Sequence, residues 1–217
     1  MRFHKEGYKI IFNSLLINLA LAIFIWVLPL VIQVKVVLLV LPALLFAWTI
    51  FFFRFPNRKV NRGDYILSSA DGKIVAIEET FESEYFKEKR LQISVFMSGF
   101  DVHVNWYPFE GIIKYTKYHE GHYFFARHPK SSEKNERSSI VLEKEEGKDV
   151  LIRQVAGIMA RRIVYYAKPG DEVEQGEELG MIRFGSRVDF FLPVSAVPDV
   201  KMGQKVRAQK TVIAHFA

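Results

Sequence analysis

The stretch LGMIRFGSRVDFFLP (Leu179–Pro193) combines two apolar segments with a Gly-Ser pair between them. Residues 179–182 and 188–192 are rich in the apolar, β-branched and aromatic side chains that are typical of strands. A glycine weakens a strand and usually marks a bulge or a close approach of the backbone. Gly185-Ser186 is therefore either an ordinary turn between two strands or a peptide bond that takes part in chemistry.

The composition limits the classes of protein to be considered. The chain has 217 residues, half of them hydrophobic, a net charge of +6 and no cysteine. Its length suits one domain with an appendage. Because cysteine is absent, disulfides, a thiol nucleophile and a thiolate metal site are excluded. The basic excess indicates either nucleic acid or an anionic membrane surface as a partner.

Two long apolar runs near the N-terminus predict membrane-spanning helices. Residues 10–31 and 36–53 are uncharged over about twenty-two and about eighteen positions, and a bilayer core requires about 20. Neither run has the polar face of a helix that packs on a soluble core, and no signal-peptide cleavage site follows the first. We therefore predict transmembrane helices at about 10–31 and 36–53, within a membrane anchor of residues 1–60.

Basic residues around the two runs predict their orientation. Those that precede the first run or follow the second are Arg2, Lys5, Lys9, Arg54, Arg58, Lys59 and Arg62. The connector between the runs carries only Lys35. Positive flanks remain in the cytoplasm, so we predict a helical hairpin in the cell membrane with the rest of the chain on the cytoplasmic side. The segment FFFRFPNR (51–58) is expected at the interface, with its rings at headgroup level.

Beyond residue 60 the pattern changes to that of a β domain. Short segments alternate apolar and polar residues, at 73–80, 91–97, 111–118, 138–145, 149–157 and 161–167. Gly, Asp and Asn separate them, as expected for a mostly antiparallel fold. The polar, irregular segment from Glu120 to Arg137 is predicted to be a long loop, which in a compact domain is usually functional or disordered. Residues 61–217 are therefore predicted to form a β-rich domain.

An internal repeat refines the predicted architecture. KPGDEVEQGEELGMI (168–182) and KMGQKVRAQKTVIAHF (201–216) share a frame in which Gly170, Val173 and Gly176 correspond to Gly203, Val206 and Gln209. Each unit resembles the hammerhead half of biotinyl and lipoyl carrier domains. No modifiable lysine lies at a hairpin tip, so the resemblance implies an antiparallel sandwich with hammerhead-like halves and not carrier activity.

Several motifs together resemble those of one enzyme family. They are SADGKI (69–74), MSGFDVHVNWYP (97–108), NER (135–137), GDEVEQGEELGMIRFGSRVDFFLP (170–193) and FFRFPNR (52–58). Their order and spacing are similar to those of phosphatidylserine decarboxylases, and more narrowly of the short bacterial and archaeal form of that proenzyme. DVHVN and FGSRVD are the most specific, and the resemblance extends from about Phe51 to the C-terminus.

The resemblance implies a proenzyme that cleaves itself. In the family the Gly-Ser bond is cut and the serine becomes an N-terminal pyruvoyl group, a covalent prosthetic group that serves as an electron sink, as pyridoxal phosphate does elsewhere. For this sequence the resemblance implies a cut between Gly185 and Ser186. The products are a β chain (1–185) and an α chain (186–217), which remain together as a heterodimer.

The chemistry of such a cut explains why these residue types are needed. A serine hydroxyl attacks the carbonyl carbon of the preceding residue, and a glycine there leaves the approach open. Serine needs a base, typically a histidine that a carboxylate orients. By resemblance the base is His103 of DVHVN and the orienting acid is Asp71 of SADGKI. We interpret Asp101 as a local backbone cap rather than a second base.

The strand with His103 departs from longer members of the family, which carry two histidines there. His103 is expected either to serve both cleavage and decarboxylation or to be assisted by a loop histidine. The candidates are His119, His122 and His128. The resemblance also implies that Asn135 and Arg137 lie near the site and bind substrate, with Arg137 holding a carboxylate or a phosphate.

Two other kinds of site have less support. The segment HEGH (119–122) is compatible with zinc, but zinc needs three protein ligands in fixed geometry, and the strand offers His-Val-Asn instead of a paired His-x-His. No metal site is predicted. Nucleic acid is not expected either, because no basic stripe is interleaved with aromatic residues and an anionic lipid surface accounts for the excess charge.

The sequence thus predicts a membrane-anchored, pyruvoyl-dependent lipid decarboxylase. By resemblance its substrate is phosphatidylserine and its product phosphatidylethanolamine. An anchor in the bilayer that holds the substrate replaces a search in solution by a high local concentration. The alternative is a non-enzymatic, membrane-tethered β-sandwich adaptor. A denaturing gel separates the two hypotheses, since only the enzyme is cut into two chains.

Overall fold

The computed structural model describes residues 2–122, 135–157, 162–183 and 185–217. The chain divides into two units, residues 1–57 and 58–217. The division lies three residues before the boundary predicted after residue 60. The first unit contains the two apolar runs and the second contains the β-rich part.

The first unit is built on two helices that a four-residue connector joins. Helix α1 spans Tyr8–Val27 and helix α2 spans Ile32–Phe52. The predicted spans placed this connector too late in the sequence. Helices usually end before the residue that precedes a proline, and Leu28, which precedes Pro29, is extended. Lys35 lies in the first turn of α2, where its Nζ donates to the main-chain oxygen of Trp26 at 2.6 Å.

Both helices have the dimensions and the surface of membrane spans. Twenty residues of α-helix rise about 30 Å, which is the thickness of the hydrocarbon core. The side chains of α1 and α2 are almost all apolar, and nearly all of them are at least partly exposed. The two helices are therefore long enough and apolar enough to cross a bilayer.

The open end of the helix pair has structure that the sequence pattern did not predict. Strand β1 (Arg2–Phe3) pairs antiparallel with β2 (Arg54–Phe55), and a 3₁₀ turn at Lys5–Gly7 leads into α1. The rings of Phe52 and Phe53 are buried, and a Cβ at Gly7 would lie only 2.5 Å from the ring of Phe53. Within the first unit these two rings therefore pack against protein.

The second unit consists of short and long strands that pair antiparallel. In the described residues they are β3 (Ile66–Leu67), β4 (Gly72–Glu82), β5 (Glu88–Met97), β6 (Val104–Trp106), β7 (Gly111–His119), β8 (Arg137–Glu145), β9 (Lys148–Ala156), β10 (Ile163–Tyr165), β11 (Glu172–Val173), β12 (Glu178–Ile182), β13 (Ser186–Leu192), β14 (Val197–Pro198), β15 (Lys205–Val206) and β16 (Val212–His215). This confirms the predicted fold class. In 162–167, the described part of the predicted strand 161–167, only β10 is a strand. Most of the loop predicted from Glu120 to Arg137 lies outside the described residues, and Arg137 begins β8.

Three sheets make up this unit. The main sheet has the order β11-β7-β8-β9-β13-β5-β4-β15, and two three-stranded sheets have the orders β10-β12-β6 and β14-β16-β3. Strand β13 lies inside the main sheet, between β9 and β5, and all its residues are buried. The apolar run after Gly185-Ser186 is thus part of a central strand, and its mostly apolar character fits a strand that is buried on both faces.

The internal repeat is visible in the backbone. Strands β11 and β15, one from each repeat, lie at opposite edges of the main sheet. Gly176 and Gln209, which the repeat pairs, have φ values of +82° and +65°. Both are in the left-handed region, which most L-residues avoid. The repeated frame therefore encodes the same turn twice, even where glutamine replaces glycine.

Candidate active site

Ser186 is the first residue of β13, at the point where the chain enters the main sheet. Its register partners are Met97 on β5 and Ala156 on β9. The side chain is fully buried, and its Oγ has no hydrogen-bond partner among the described residues. A buried hydroxyl without a partner is unusual in a folded protein, and it leaves the oxygen lone pairs available for reaction.

Gly185 has a backbone conformation that favours glycine. Its φ is +67°, and a Cβ built there would meet no atom of the described residues within 4 Å. An L-residue pays about 1–2 kcal/mol for the left-handed conformation. Glycine is therefore needed for the backbone angle and not for lack of space.

His103 is held against the segment that carries the Gly-Ser pair. The residue is fully buried, and its main-chain oxygen accepts a hydrogen bond from Ile182 N–H at 3.1 Å. Its Nε2 lies 3.2 Å from the main-chain nitrogen of Gly185, which donates to it. The structure thus brings His103 and Gly185-Ser186 together, as the sequence predicts.

The hydrogen bonds of the ring assign the proton of His103. Nδ1 lies 3.0 Å from the main-chain oxygen of Asp101. A carbonyl oxygen can only accept and a peptide N–H can only donate, so Nδ1 carries the proton and Nε2 presents its lone pair. His103 is therefore a neutral ring whose acceptor nitrogen faces the N–H of Gly185, on the N-terminal side of the Gly185–Ser186 peptide.

Asp101 is a local cap, as predicted. Its carboxylate accepts hydrogen bonds from the main-chain N–H of Ser98 at 2.8 Å and from the Ser98 hydroxyl at 2.6 Å. These bonds close the turn that precedes His103. Asp101 acts on the ring through its main-chain oxygen and not through its carboxylate.

Asp71 contacts Arg58 in this structure. The two guanidinium nitrogens of Arg58 lie 2.6 Å from the two carboxylate oxygens, and the N–H of Ala208 donates to the same carboxylate at 2.9 Å. Both side chains are mostly buried, and a bidentate pair of this kind is among the stronger polar contacts. His103 Nδ1 lies against the main-chain oxygen of Asp101 instead of against Asp71, and no hydrogen bond joins His103 to Asp71 among the described residues.

Buried amides support both neighbours of Ser186. Asn135 donates from Nδ2 to the main-chain oxygen of Ala156 at 2.7 Å. Asn105 places its Nδ2 at 3.6 Å from the sulfur of Met97, and its oxygen accepts from Gln154 Nε2 at 2.7 Å. Asn135 thus has a structural contact beside the site. Arg137 begins β8 and is half-buried.

Two of the three histidines considered as helpers of His103 lie in the described residues. His119 Nε2 lies 2.7 Å from the carboxylate of Glu84, and His122 forms an isolated bridge with Asn135. His128 lies outside the described residues. No cluster of three or more potential metal ligands occurs in the part of the chain that the structure describes.

Sequence reasoning missed two residues of this region. Arg58 was interpreted as a basic flank of the anchor, yet it binds the carboxylate of Asp71. Glu136, the middle residue of NER, was passed over, yet its side chain is buried and accepts a hydrogen bond from Ile163 N–H. A glutamate between two residues already assigned to the site was a usable signal, whereas Arg58 had none in its local sequence.

Comparisons with known proteins agree with the motifs. The sequence profile described as phosphatidylserine decarboxylase matches residues 45–214. A protein of Amoebophilus asiaticus is 50% identical, over all of this chain and 97% of its own length. Similar proteins of Cytophaga hutchinsonii and Bacteroides fragilis are 45% and 44% identical, over 100% and 99% of this chain and 99% and 95% of their own lengths.

All three relatives are named phosphatidylserine decarboxylase proenzyme. Their names favour an enzyme over a membrane-tethered adaptor. Since the profile covers most of the chain and the relatives match it over its full length, the chain belongs to the phosphatidylserine decarboxylase family.

Proposed function

We propose that the chain cuts itself between Gly185 and Ser186, converts Ser186 into a pyruvoyl group and uses it to decarboxylate phosphatidylserine to phosphatidylethanolamine. One observation carries the proposal. A neutral, buried His103 directs its acceptor nitrogen at Gly185 N–H, beside a buried Ser186 hydroxyl without a hydrogen-bond partner among the described residues. This combination of nucleophile and adjacent base is what an attack by serine needs.

In the first step Ser186 Oγ attacks the carbonyl carbon of Gly185. The C–N bond of the peptide breaks and an ester forms, while the hydroxyl proton passes through His103 to the nitrogen that becomes the amine of Ser186. For this transfer Nε2 must exchange the Gly185 N–H for the Ser186 hydroxyl. The two groups belong to adjacent residues.

The following steps balance with one water molecule. Loss of the Ser186 Cα proton breaks the Cβ–Oγ bond, so that Gly185 leaves as a carboxylate and residue 186 becomes a dehydroalanine. Water then replaces its amine, which departs as ammonia. The resulting pyruvoyl ketone supplies an electron sink for the carbon that loses CO2. Residues 1–185 and 186–217 are then separate chains of one heterodimer.

Asp71 remains part of the proposal. In the contacts observed it acts through Arg58, because the pair fixes the segment before β4 and also contacts Ala208 of the future α chain. A direct role as the acid that orients His103 would require Asp71 to leave Arg58. Removing one member of a buried ion pair typically costs about 3–5 kcal/mol, so we favour the role through Arg58.

The anchor supports a lipid substrate. We propose that α1 and α2 span the cell membrane and that the second unit lies on the cytoplasmic side, because the basic residues flank the two outer ends of the pair. Phosphatidylserine then reaches the site from the cytoplasmic leaflet. Arg137 is proposed to bind its carboxylate or phosphate, and Asn135 is proposed to bind substrate beside it.

A denaturing gel with mass analysis tests the proposal. The full-length protein should separate into two chains, and the smaller should begin at residue 186, lack a free α-amine and react with carbonyl reagents. Ser186→Ala should remain one chain and be inactive. An intact wild-type chain that decarboxylates phosphatidylserine would refute the cleavage, and a cut protein whose small chain keeps an N-terminal serine would refute the pyruvoyl group.

A further inference from the structure

We propose that Glu136 is a positioning residue for the cleavage of the Gly185–Ser186 bond, an inference that rests on the proposed function. Glu136 is 3% exposed, and no role in the proposed reaction has been assigned to it above. Its side chain holds the strand that precedes the scissile bond, and its main chain holds the strand that lies beside Ser186. It therefore determines how the two sides of the bond meet.

The scissile bond lies where the chain passes from one sheet to another. Strand β12, which ends at Ile182, belongs to the three-stranded sheet β10-β12-β6, whereas β13, which begins at Ser186, belongs to the main sheet. The geometry at Gly185 consequently depends on the relative position of the two sheets. A contact that joins the sheets near this point controls that position.

The carboxylate of Glu136 supplies the contact on the β12 side. One oxygen accepts the N–H of Ile163 at 3.0 Å and the hydroxyl of Tyr118 at 2.5 Å. Ile163 begins β10 and is the register partner of Ile182. Ile182 N–H donates in turn to the main-chain oxygen of His103. The carboxylate is thus two strand contacts away from the proposed base.

The main chain of Glu136 supplies the contact on the β13 side. Its oxygen accepts the N–H of Ala156 at 2.9 Å, and its N–H donates to the main-chain oxygen of His122 at 3.0 Å. Ala156 is the register partner of Ser186. One residue therefore fixes Ala156 in the main sheet and Ile163 in the smaller one, on either side of the gap that Gly185 crosses.

Loss of the carboxylate should act on the geometry of the reaction rather than on its chemistry. Without it, Ile163 N–H loses its acceptor and β10 can shift with β12, which moves Gly185 and His103 relative to Ser186. A displacement of about 1 Å can cost about a hundredfold in rate. Glutamine at position 136 keeps an oxygen acceptor at the same distance from Ile163 N–H. Aspartate is one methylene shorter, so its carboxylate lies farther from that N–H.

The rate of cutting in newly synthesised full-length chains tests this. Glu136→Ala and Glu136→Asp should be cut about a hundredfold more slowly than the wild type, and Glu136→Gln within a few-fold of it. Tyr118→Phe should have a small effect, because the contact to Ile163 remains. Should Glu136→Ala fail to fold, Glu136→Asp keeps the charge and carries the test.

Glu82→Ala is the matched control. Like Glu136, Glu82 is a buried carboxylate that accepts main-chain N–H groups, here those of Glu84, Tyr85 and Phe86. In the strand register, however, Glu82 lies opposite Glu88, at the end of β5 that is far from Met97. Nine residues of strand place it about 30 Å from the level of Ser186. It should lower the melting temperature without slowing the cut.

The outcomes separate this inference from the proposed function. Normal cutting of Glu136→Ala or Glu136→Asp would overturn the positioning role alone. The positioning role would also be overturned if the Glu82 variant were cut as slowly as a Glu136 variant with the same loss of melting temperature. A wild-type chain that is never cut would overturn the proposed cleavage, and the positioning role with it.

Discussion

The main-chain N–H of Gly185 donates to Nε2 of His103 at 3.2 Å, so the histidine touches the residue before the proposed cut and not the serine itself. This contact has two effects. It leaves Nε2 as the acceptor nitrogen of a neutral ring, and it holds the N–H of Gly185, the residue whose carbonyl carbon the proposed cut would attack.

His103→Ala should accumulate as the uncut chain. Removal of a general base typically costs about 10²–10⁴ in rate, so slow cutting over hours remains measurable on denaturing gels. His119→Gln is the control, because His119 Nε2 faces Glu84. Any cut fraction of His103→Ala can then be assayed for decarboxylation. Normal cutting and normal turnover together would remove His103 from both steps.

Substitution at Gly185 should slow the cut through the backbone angle alone. At a φ of +67° with open space around the Cβ position, alanine costs about 1–2 kcal/mol, and 1.36 kcal/mol is about tenfold in rate. Gly185→Asn should lose less, because asparagine tolerates the left-handed region better.

Gly147→Ala provides the control for Gly185. It has a φ of +81°, equally open space, and a position in the turn between β8 and β9. It should carry the same backbone cost and be cut normally. Equal slowing by Gly185→Ala and Gly147→Ala would show that general destabilisation, and not local geometry, limits the cut.

Arg58 and Asp71 should behave as one unit. Arg58→Gln and Asp71→Asn are each expected to slow the cut by a similar factor, and the double variant should add little to either, because the same bidentate contact is lost each time. The cutting rates of the four chains give this coupling directly. Normal cutting of Arg58→Gln beside slow cutting of Asp71→Asn would instead favour Asp71 as the acid that orients His103.

The stability of the second unit should fall in acid partly through Glu84. Burial raises the pKa of its carboxyl, but hydrogen bonds from His119 and Ser139 and the charge of Arg153 outweigh burial and lower the pKa overall. A lowered pKa in the folded state stabilises the protein above the unfolded pKa, and this contribution is lost as pH falls through the folded value.

Glu84→Gln should therefore reduce the acid dependence of stability. The melting temperature in detergent, followed from neutral pH to below the ordinary carboxyl pKa of 4.5, should fall less steeply for Glu84→Gln than for the wild type. Glu78→Gln, an exposed carboxyl on β4, should keep the wild-type slope. Identical slopes for all three proteins would exclude the contribution of Glu84.

Features encoded in neighbouring residues could be predicted from the sequence. Uncharged length predicted α1 and α2, and alternation predicted β4, β5, β7, β8 and β9, because both patterns are local. The repeat correctly paired Gly176 with Gln209. The connector at Pro29 was misplaced because apolar residues continue through it and hide the end of α1.

Contacts between distant residues could not be predicted in the same way. Arg58 and Asp71 are thirteen positions apart on segments that only the tertiary fold brings together. Motifs proposed His103 as a site residue, but only the fold places its Nε2 3.2 Å from the main-chain nitrogen of Gly185 and its Nδ1 3.0 Å from the main-chain oxygen of Asp101. Motifs name residues, whereas hydrogen-bond partners depend on packing.

The central position of β13 has a consequence for the lifetime of the enzyme. After the proposed cut, residue 186 would begin a strand that is paired along both edges, with β5 and with β9. An exchangeable cofactor can be replaced from solution when it is damaged, but the proposed pyruvoyl group would be the covalently bound first residue of a strand in the main sheet. A spent molecule could not be recharged, so cellular activity would be set by how fast new chains are made and old ones destroyed.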